Sequence, residues 1–348
     1  MNASPRPAES PGEIAAAPRD RFGRPLHDLR VSVIETCNFR CPYCMPEARE
    51  DAAPRLDSAA RLDFDEIVTA VRAFARVGVS KVRLTGGEPL LRRDLPELVA
   101  RLAAVPGIDD LALTTNGSLL APQARALKQA GLHRLTVSLD SLDPARFRAL
   151  SGGRGELEDV LAGLAAAEAA GFASIKINCV VQRGVNDGDV TAIAARFRGT
   201  PHVPRFIEYM DVGTCNGWSR DRVVPSAETR DAIHARWPLR PVDAAYRGEV
   251  AKRHVYADGA GEVGFVGSVS APFCGDCHRA RLSADGQLFT CLFASRGEPL
   301  RPRIAAGEDA LAAHLATLWR ARGDRYSEQR AAAAATGRRR IEMFYIGG

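Results

Sequence analysis

Short runs rich in β-branched residues alternate with amphipathic segments from Leu29 onward. This alternation predicts parallel strands joined by right-handed helical crossovers, which is an α/β architecture. Six strand-and-helix units fall short of the eight that close a complete barrel, so the pattern favours a partial, open, TIM-like (βα)6 barrel. The predicted strands are residues 31–34, 81–85, 111–115, 134–139, 175–181 and 204–209.

Four segments between these strands have the periodicity of amphipathic helices. In the first, apolar residues from Ile67 to Phe74 share one face, acidic residues open the segment and Gly78 closes it. A helix is therefore predicted between the first and second strands, as a parallel strand–helix–strand connection requires. The other three predicted helices are residues 94–104, 122–130 and 157–170.

The rhythm changes after about Trp237, where short glycine-rich strands come before one alanine-rich helix from about Glu308 to Arg320. This change predicts a separate C-terminal region. The first residues are rich in Pro, Ala and Arg without periodicity, and they cannot bury enough apolar surface to offset the entropy of ordering. We therefore expect a disordered tail over residues 1–20, the partial barrel over 21–240 and the C-terminal region over 241–348.

The composition of the 348-residue chain is ordinary for a globular protein, with 46% hydrophobic and 26% charged residues. It has no apolar run of about eighteen residues and no apolar segment near its start, so we expect neither a membrane span nor a secretory signal. The expected location is therefore the cytoplasm. A net charge of +5 suits phosphate-bearing ligands or nucleic acid. No recognition helix or aromatic stacking repeat favours nucleic acid.

Six of the eight cysteines fall in two tight groups, which indicates metal binding rather than disulfides. Cys37, Cys41 and Cys44 form C-x3-C-x2-C just after the first strand. Three thiolates from one loop suit an iron–sulfur cluster, since each can bind a different iron while a fourth iron stays open. A structural zinc site normally has four protein ligands, and no fourth Cys or His follows nearby.

Cys274, Cys277 and Cys291 form the second group, C-x2-C-x13-C. On spacing alone, half of a zinc ribbon is the better interpretation. His278 is a possible fourth ligand, although its adjacency to Cys277 makes joint chelation awkward. A second iron–sulfur cluster with an open iron is the alternative. The two remaining cysteines, Cys179 and Cys215, are predicted to pack as small hydrophobes.

C-x3-C-x2-C with an aromatic residue before its last cysteine resembles the radical S-adenosylmethionine (SAM) enzymes. The resemblance implies a partial parallel α/β barrel and a 4Fe–4S cluster whose open iron is chelated by the amino and carboxylate groups of SAM. It also implies that one electron cleaves SAM to a 5′-deoxyadenosyl radical. The segment Gly86-Gly87-Glu88-Pro89 resembles the one that receives the methionine end of SAM, where glycines permit close backbone approach.

From Phe22 to Gly348 the chain resembles the GTP 3′,8-cyclases of molybdenum cofactor biosynthesis. The matches include CNFRCPYCMP, KVRLTGGEPLLRRDL, LTTNG, SLDS, RFIEYMDVG, SAPFC followed by C-x-R-x-R, and the closing IGG. The resemblance implies a second 4Fe–4S cluster on Cys274, Cys277 and Cys291, with the guanine of GTP on its open iron. Glu35-Thr36 depart from the Asp-Arg usual in the family, which leaves the role of these two positions in doubt.

The resemblance also assigns residues to the two ligands. Guanidinium forks and strand-end cations suit a triphosphate, and alternation along a strand points Arg279 and Arg281 to the same side. With Gly347 and Gly348, these two arginines are the expected catalytic residues. SAM is expected at Tyr43, Gly87, Ser138 and Met210, and GTP at Arg30, Lys81, Arg83, Thr114, Lys176, Arg205, Arg279, Ala280 and Arg281.

The implied reaction converts GTP to (8S)-3′,8-cyclo-7,8-dihydroguanosine 5′-triphosphate, by hydrogen abstraction at C3′ and attack of the substrate radical on C8. The implied partners are a second copy in a homodimer, a reductant such as flavodoxin or ferredoxin, and cyclic pyranopterin monophosphate synthase as the next enzyme. Two rivals stay open: a radical SAM enzyme acting on a peptide, and a cysteine-rich zinc or iron–sulfur module that binds nucleic acid.

Overall fold

The strands of the computed structural model, which describes residues 17–47, 56–330 and 340–347, join into one sheet. Its bounds are β1 Asp28–Ser32, β2 Lys81–Thr85, β3 Asp110–Thr115, β4 Arg134–Ser138, β5 Ile175–Val181, β6 Val203–Glu208, β7 Leu239–Val242, β8 Lys252–Tyr256, β9 Glu262–Val266, β10 Arg279–Leu282, β11 Gln287–Phe289 and β12 Glu298–Pro299. Their order is β12-β11-β10-β1-β2-β3-β4-β5-β6-β9-β8-β7.

The central strands β1 to β6 are all parallel, each paired with the next in sequence. This confirms the predicted partial α/β barrel, and the predicted strands lie within a few residues of those observed. In β5 and β6 alternate residues are buried against the surrounding helices, and the intervening residues face the concave side. The concave side is therefore where polar residues collect.

Strands from the C-terminal part of the chain cover both edges of this barrel. β10 pairs in parallel with β1, and β9 pairs in parallel with β6. The sheet thus continues past residue 241, where sequence analysis begins a separate region. The physical reason is that an open barrel leaves two edge strands with unpaired backbone groups, and added strands satisfy them.

Helices cover the convex side and bury one apolar face each. In the first, Ile67 and Phe74 are fully buried, and Asp63 and Glu66 form a reciprocal capping box at its start. The predicted helices are confirmed with small shifts at their ends. The helices are α1 Phe64–Arg76, α2 Leu95–Ala103, α3 Ala124–Gln129, α4 Pro144–Leu150, α5 Leu157–Ala169, α6 Val190–Phe197, α7 Ser226–Arg236, α8 Arg301–Ala305 and α9 Glu308–Ala321, followed by a single turn at Met343–Ile346.

Of the predicted disordered tail, residues 1–16 lie outside the described residues, whereas residues 17–20 belong to the fold. Arg19 forms an isolated bridge with Pro25, and the buried carboxylate of Asp20 accepts a hydrogen bond from Arg24. Burial of this ion pair gives the segment a fixed place. In the described ranges, no helix has both the length and the apolar character needed to cross a membrane.

Candidate active site

A cavity inside the barrel is lined by cations from successive strands. Arg30 lies level with Arg83 on one side and with Arg281 on the other, so three guanidinium-bearing residues form a row across β10, β1 and β2. Lys176 and Arg205 add to the row from β5 and β6. The residues assigned to GTP that line the cavity are Arg30, Lys81, Arg83, Thr114, Lys176, Arg205, Arg279 and Arg281.

Ala280 is the one residue of the predicted GTP set that does not line the cavity. It lies between Arg279 and Arg281 on β10 and is buried. Alternation along the strand points its methyl group to the opposite face from the two arginines. Only its backbone remains available to the cavity side.

The crowded cations disfavour each other's charge. Burial and the neighbouring Arg205 lower the pKa of Lys176 to about 7. Burial and the charge of Arg83 lower the pKa of Arg205 to about 9, and burial with Arg279 lowers that of Arg281 to about 9. An anionic ligand would relieve this repulsion, and a triphosphate has the charge to do so.

Hydrogen bonds hold the guanidinium groups of two of these arginines in place. Arg83 donates to the hydroxyls of Thr114 and Thr136, each at 3.0 Å. Arg205 donates to Oδ1 of Asn178 through two nitrogens, at 3.0 and 2.7 Å. Sequence analysis missed Thr136 and Asn178, although alternation along β5 from Lys176 to Asn178 was a signal that could have found the second.

The two cysteine groups lie at opposite ends of the parallel sheet. The loop with Cys37 and Cys44 follows the carboxyl end of β1, whereas the turn with Cys274 and Cys277 comes before the amino end of β10, which runs parallel to β1. All three cysteines of the second group, Cys274, Cys277 and Cys291, line the cavity. The row of cations lies between the two ends of the strands. A molecule in the cavity can therefore extend from one end toward the other.

The first group sits in surroundings that disfavour free thiolates. Burial, with the Glu88 carboxylate, raises the pKa of the Cys37 thiol to about 11. Burial and the neighbouring Cys44 and Asp140 raise the pKa of Cys41 well above its usual value. Three thiols of one loop in such surroundings fit a positively charged metal group, because coordination removes their protons outright.

The segments predicted to hold SAM surround this loop. The Tyr43 hydroxyl donates to Asp140 at 2.7 Å, and the carboxylate of Glu88 accepts hydrogen bonds from Leu90, Thr115 and Asn116. A Cβ at Gly87 would lie 2.1 Å from the carbonyl oxygen of Thr36, so a side chain there would push the two loops apart. Ser138 ends β4, and Met210 lines the cavity.

In the second group, the Cys277 thiol has two arginines beside it. Arg279 and Arg322 each donate to Sγ of Cys277, at 3.5 and 3.4 Å. Burial opposes ionisation of this thiol, but the two positive charges prevail and lower its pKa to about 6. Burial and Asp324 raise the pKa of Cys291 to about 12.

The spacing of donor atoms bears on which metal group fits. Within the described ranges, one set of three Cys, His or carboxylate atoms lies within 4.8 Å of one another, and it is formed by His27, Asp28 and His278. Neither cysteine group has its three sulfurs that close, whereas thiolates on a single zinc at Zn–S distances of about 2.3 Å would be closer. Wider spacing suits a cluster, whose cysteines bind different irons. His278 packs against the His27 ring, with 5.2 Å between ring centroids.

The C-terminal tail reaches this cavity wall. The carbonyl of Gly347 accepts a hydrogen bond from Nη1 of Arg281. A Cβ at Gly347 would lie 2.0 Å from Oγ1 of Thr85. Upstream, the buried carboxylate of Glu342 accepts from the backbone and hydroxyl of Thr214. Gly348, also predicted as catalytic, lies outside the described residues.

Comparisons with known proteins agree with this geometry. A family model described as Radical SAM superfamily matches residues 31–197, and one described as Molybdenum Cofactor Synthesis C matches residues 203–328. A GTP 3′,8-cyclase of Xanthomonas campestris pv. campestris (strain 8004) is 65% identical over 339 residues, covering 97% of this chain and 99% of the relative. The chain belongs to the GTP 3′,8-cyclase family.

Two further members of this cyclase family show how far the similarity extends. The GTP 3′,8-cyclase of Acidothermus cellulolyticus is 52% identical and covers 95% of this chain and 99% of its own, and that of Staphylococcus haemolyticus is 42% identical and covers 96% and 100%. The solved structure of Streptococcus suis SuiB bound to S-adenosylmethionine has a TM-score of 0.58 at 15% identity, covering 77% of this chain and 60% of that one. This likeness shows the fold alone.

Proposed function

We propose that this chain converts GTP to (8S)-3′,8-cyclo-7,8-dihydroguanosine 5′-triphosphate, the first step of molybdenum cofactor biosynthesis. The observation that carries the proposal is the cation-lined cavity between two three-cysteine groups, in a chain of the GTP 3′,8-cyclase family. The reaction moves the hydrogen atom of C3′ to 5′-deoxyadenosine, joins C3′ to C8 of the guanine, and takes up one electron from the reductant and one proton to give the 7,8-dihydro ring. Both atoms belong to one substrate, so the chain's main task is to position it and exclude water.

Cys37, Cys41 and Cys44 would hold a 4Fe–4S cluster with one open iron. When bound and reduced, this cluster supplies the electron that cleaves SAM to the 5′-deoxyadenosyl radical. Tyr43, Gly87, Ser138 and Met210 are the residues we assign to SAM. Support comes from the three thiols of one loop and from the packing of Gly87 against Thr36, which brings the Gly-Gly-Glu-Pro turn to the cysteine loop.

The cavity cations would bind the triphosphate and orient the nucleoside. Arg83 and Arg205 are already held by Thr114, Thr136 and Asn178, so little reorganisation is needed when phosphate oxygens replace water. Lys176, Arg30 and Lys81 add charge from neighbouring strands. Arg279 and Arg281 lie on the cavity side of β10, where we assign them to the substrate's reacting end together with Gly347 and Gly348.

A second 4Fe–4S cluster on Cys274, Cys277 and Cys291 is part of the proposal. Support comes from the family and from three cysteines that line the cavity without all their sulfurs lying within 4.8 Å of one another. The open iron would take the guanine. The homodimer, a reductant such as flavodoxin or ferredoxin, and cyclic pyranopterin monophosphate synthase as the next enzyme remain part of the same proposal.

Anaerobic turnover with GTP, SAM and a chemical reductant tests the function directly. We expect 5′-deoxyadenosine and a cyclised nucleotide triphosphate, identified by mass spectrometry. GTP recovered unchanged beside a modified peptide substrate would favour the peptide-acting rival. Nucleic-acid affinity that falls steeply with salt, without SAM cleavage, would favour the nucleic-acid module.

Metal analysis after anaerobic reconstitution tests the two clusters separately from turnover. About eight irons and eight sulfides per chain are expected for two 4Fe–4S clusters. About four irons with one zinc would retain the first cluster and overturn the second. Because this readout needs no substrate, it stands even where turnover is slow.

A further inference from the structure

Arg322, which follows α9, contacts the second cysteine group through several atoms at once. Its Nη1 donates to the carbonyl of Cys277 at 2.7 Å, and its Nη2 donates to Sγ of the same residue at 3.4 Å. Its side chain is 1% exposed. The guanidinium also lies over the Trp319 ring, 4.5 Å from its centroid. A buried charge with this many partners holds one orientation.

A network of buried groups fixes Arg322 in place. Asp20 accepts from Nη1 of Arg322 at 3.1 Å and from Nε of Arg24 at 2.6 Å, and all three side chains are at most 1% exposed. Arg24 in turn donates to the carbonyl of Cys274 at 2.6 Å. Nε of Arg322 also donates to Asp324 at 3.2 Å, so Asp20 and Asp324 together balance Arg24 and Arg322. Arg279, which donates to the Cys277 sulfur from the other side, adds the further positive charge.

The first cysteine group has a different balance of charge. Glu88 and Asp140 act on Cys37 and Cys41 as nearby negative charges, with Arg40 as a cation beside Cys37. Hydrogen bonds to the Cys37 sulfur come from backbone and amide nitrogens, at 3.4 and 3.9 Å. The Cys277 sulfur therefore accepts from two guanidinium groups, whereas the Cys37 sulfur accepts from neutral nitrogens.

We propose that Arg322 is a positioning residue that raises the reduction potential of the second cluster through its contact with Cys277. This inference rests on the proposed function, because it requires a cluster on that cysteine. One electron enters the cluster on reduction, with no bond made or broken, so the reduced state carries one more negative charge. A buried guanidinium that donates to a ligand sulfur stabilises that state.

Redox titration of the reconstituted holoenzyme, followed by electron paramagnetic resonance, measures the potential of each cluster. The signals are assigned with Cys41→Ala and Cys291→Ala, each of which disrupts one cysteine group. In Arg322→Gln we expect the second cluster to become at least tenfold harder to reduce, which is 59 mV for a one-electron couple. Arg322→Lys keeps the charge and should recover part of this shift.

Two further variants separate charge from general damage. Asp324 acts on Cys291 as a negative charge and also accepts from Nε of Arg322 at 3.2 Å. Asp324→Asn removes the charge but keeps an oxygen that can accept this hydrogen bond, so it should shift the potential in the opposite direction. Arg320 is exposed in the last turn of α9, so Arg320→Gln removes the same charge without the contact and should leave the potential unchanged. The first cluster should keep its potential in all four variants.

The inference fails if Arg322→Gln retains eight irons and shows an unchanged second potential, or if both clusters shift equally. Where Arg322→Gln does not retain its clusters, Arg322→Lys and Asp324→Asn decide: unchanged potentials in both overturn the inference, and shifts of opposite sign support it. Wild-type protein with only four irons overturns the second cluster itself, and that result is independent of every Arg322 variant.

Discussion

Arg281 and Gly347 are joined by a hydrogen bond from Nη1 of the arginine to the glycine carbonyl, although 66 residues separate them in sequence. Arg281 also lies level with Arg30 in the row of cavity cations. The contact therefore ties the C-terminal tail to the wall of the proposed substrate site. A change in the conformation of the tail would therefore change the shape of that wall.

Gly347→Ala is expected to displace the tail. Its backbone has φ of +68°, and the new methyl group would meet Oγ1 of Thr85 at 2.0 Å. We expect about a 100-fold loss of cyclised product while 5′-deoxyadenosine still forms, because a small misplacement of positioning groups costs that much. Product and 5′-deoxyadenosine are measured in the same anaerobic assay.

Gly259→Ala is the matched control for that variant. Gly259 has a similar φ of +80°, but nothing lies within 4 Å of its added Cβ. It should therefore show the backbone strain alone and keep normal cyclisation. Equal losses in the two variants would contradict a specific role for the tail.

Arg281→Ala should separate SAM cleavage from cyclisation. The residue lines the cavity from β10, on the side of the second cysteine group, so its loss should leave the first group untouched. We expect 5′-deoxyadenosine without cyclised nucleotide, a loss of at least about 100-fold. Exposed Arg303→Ala serves as the charge control. Normal cyclisation in Arg281→Ala would end its proposed role.

Cys41→Ala should abolish formation of 5′-deoxyadenosine. Removing one thiol of the first group removes a ligand of the iron–sulfur site to which we assign SAM. Cys179→Ala removes a thiol that is fully buried in the core and should retain activity. The assay counts 5′-deoxyadenosine by chromatography. Undiminished 5′-deoxyadenosine from Cys41→Ala would disprove the assignment of this loop.

The KM for GTP should depend on pH through Lys176. Burial and nearby arginines lower its pKa to about 7, so the lysine loses its charge as pH rises through that value. The triphosphate favours the charged lysine, and we expect KM to rise by about tenfold between pH 7 and pH 9. The guanidinium of Lys176→Arg has a higher ordinary pKa than an amine, so this variant should keep its charge to higher pH.

Comparison of the two KM profiles isolates this effect, because GTP itself titrates identically in both assays. The arginine variant should show a flatter profile between pH 7 and pH 9. Parallel profiles in the two proteins would mean that the titration of Lys176 does not govern substrate binding.

Sequence patterns predicted the six central strands and five of the helices, and the residues from which the candidate site is built. Strands such as β2 and β5 were predicted to the residue, because their β-branched runs are bounded by turn signals. Short spacing within each cysteine group indicated a metal group, and the family motifs pointed to the cavity cations. A local pattern also indicates Asn178, because it is two residues from Lys176 on the same strand and therefore lies on the same face.

Other contacts have no local signal in the chain. Asp20, Arg24 and Arg322 are separated by up to 302 residues, and their common place beside Cys277 follows from packing of α9 and the N-terminal segment. The two edges of the barrel are likewise covered through long-range pairing, of β10 with β1 and of β9 with β6.

The sequence by itself determined the alternating strands and helices, the two groups of three cysteines and the family, because periodicity, spacing and motif are local properties. Only the tertiary structure decided which charges surround each thiol group and how the last residues meet Arg281. These relationships depend on burial and on contacts between distant segments, and no local pattern encodes them.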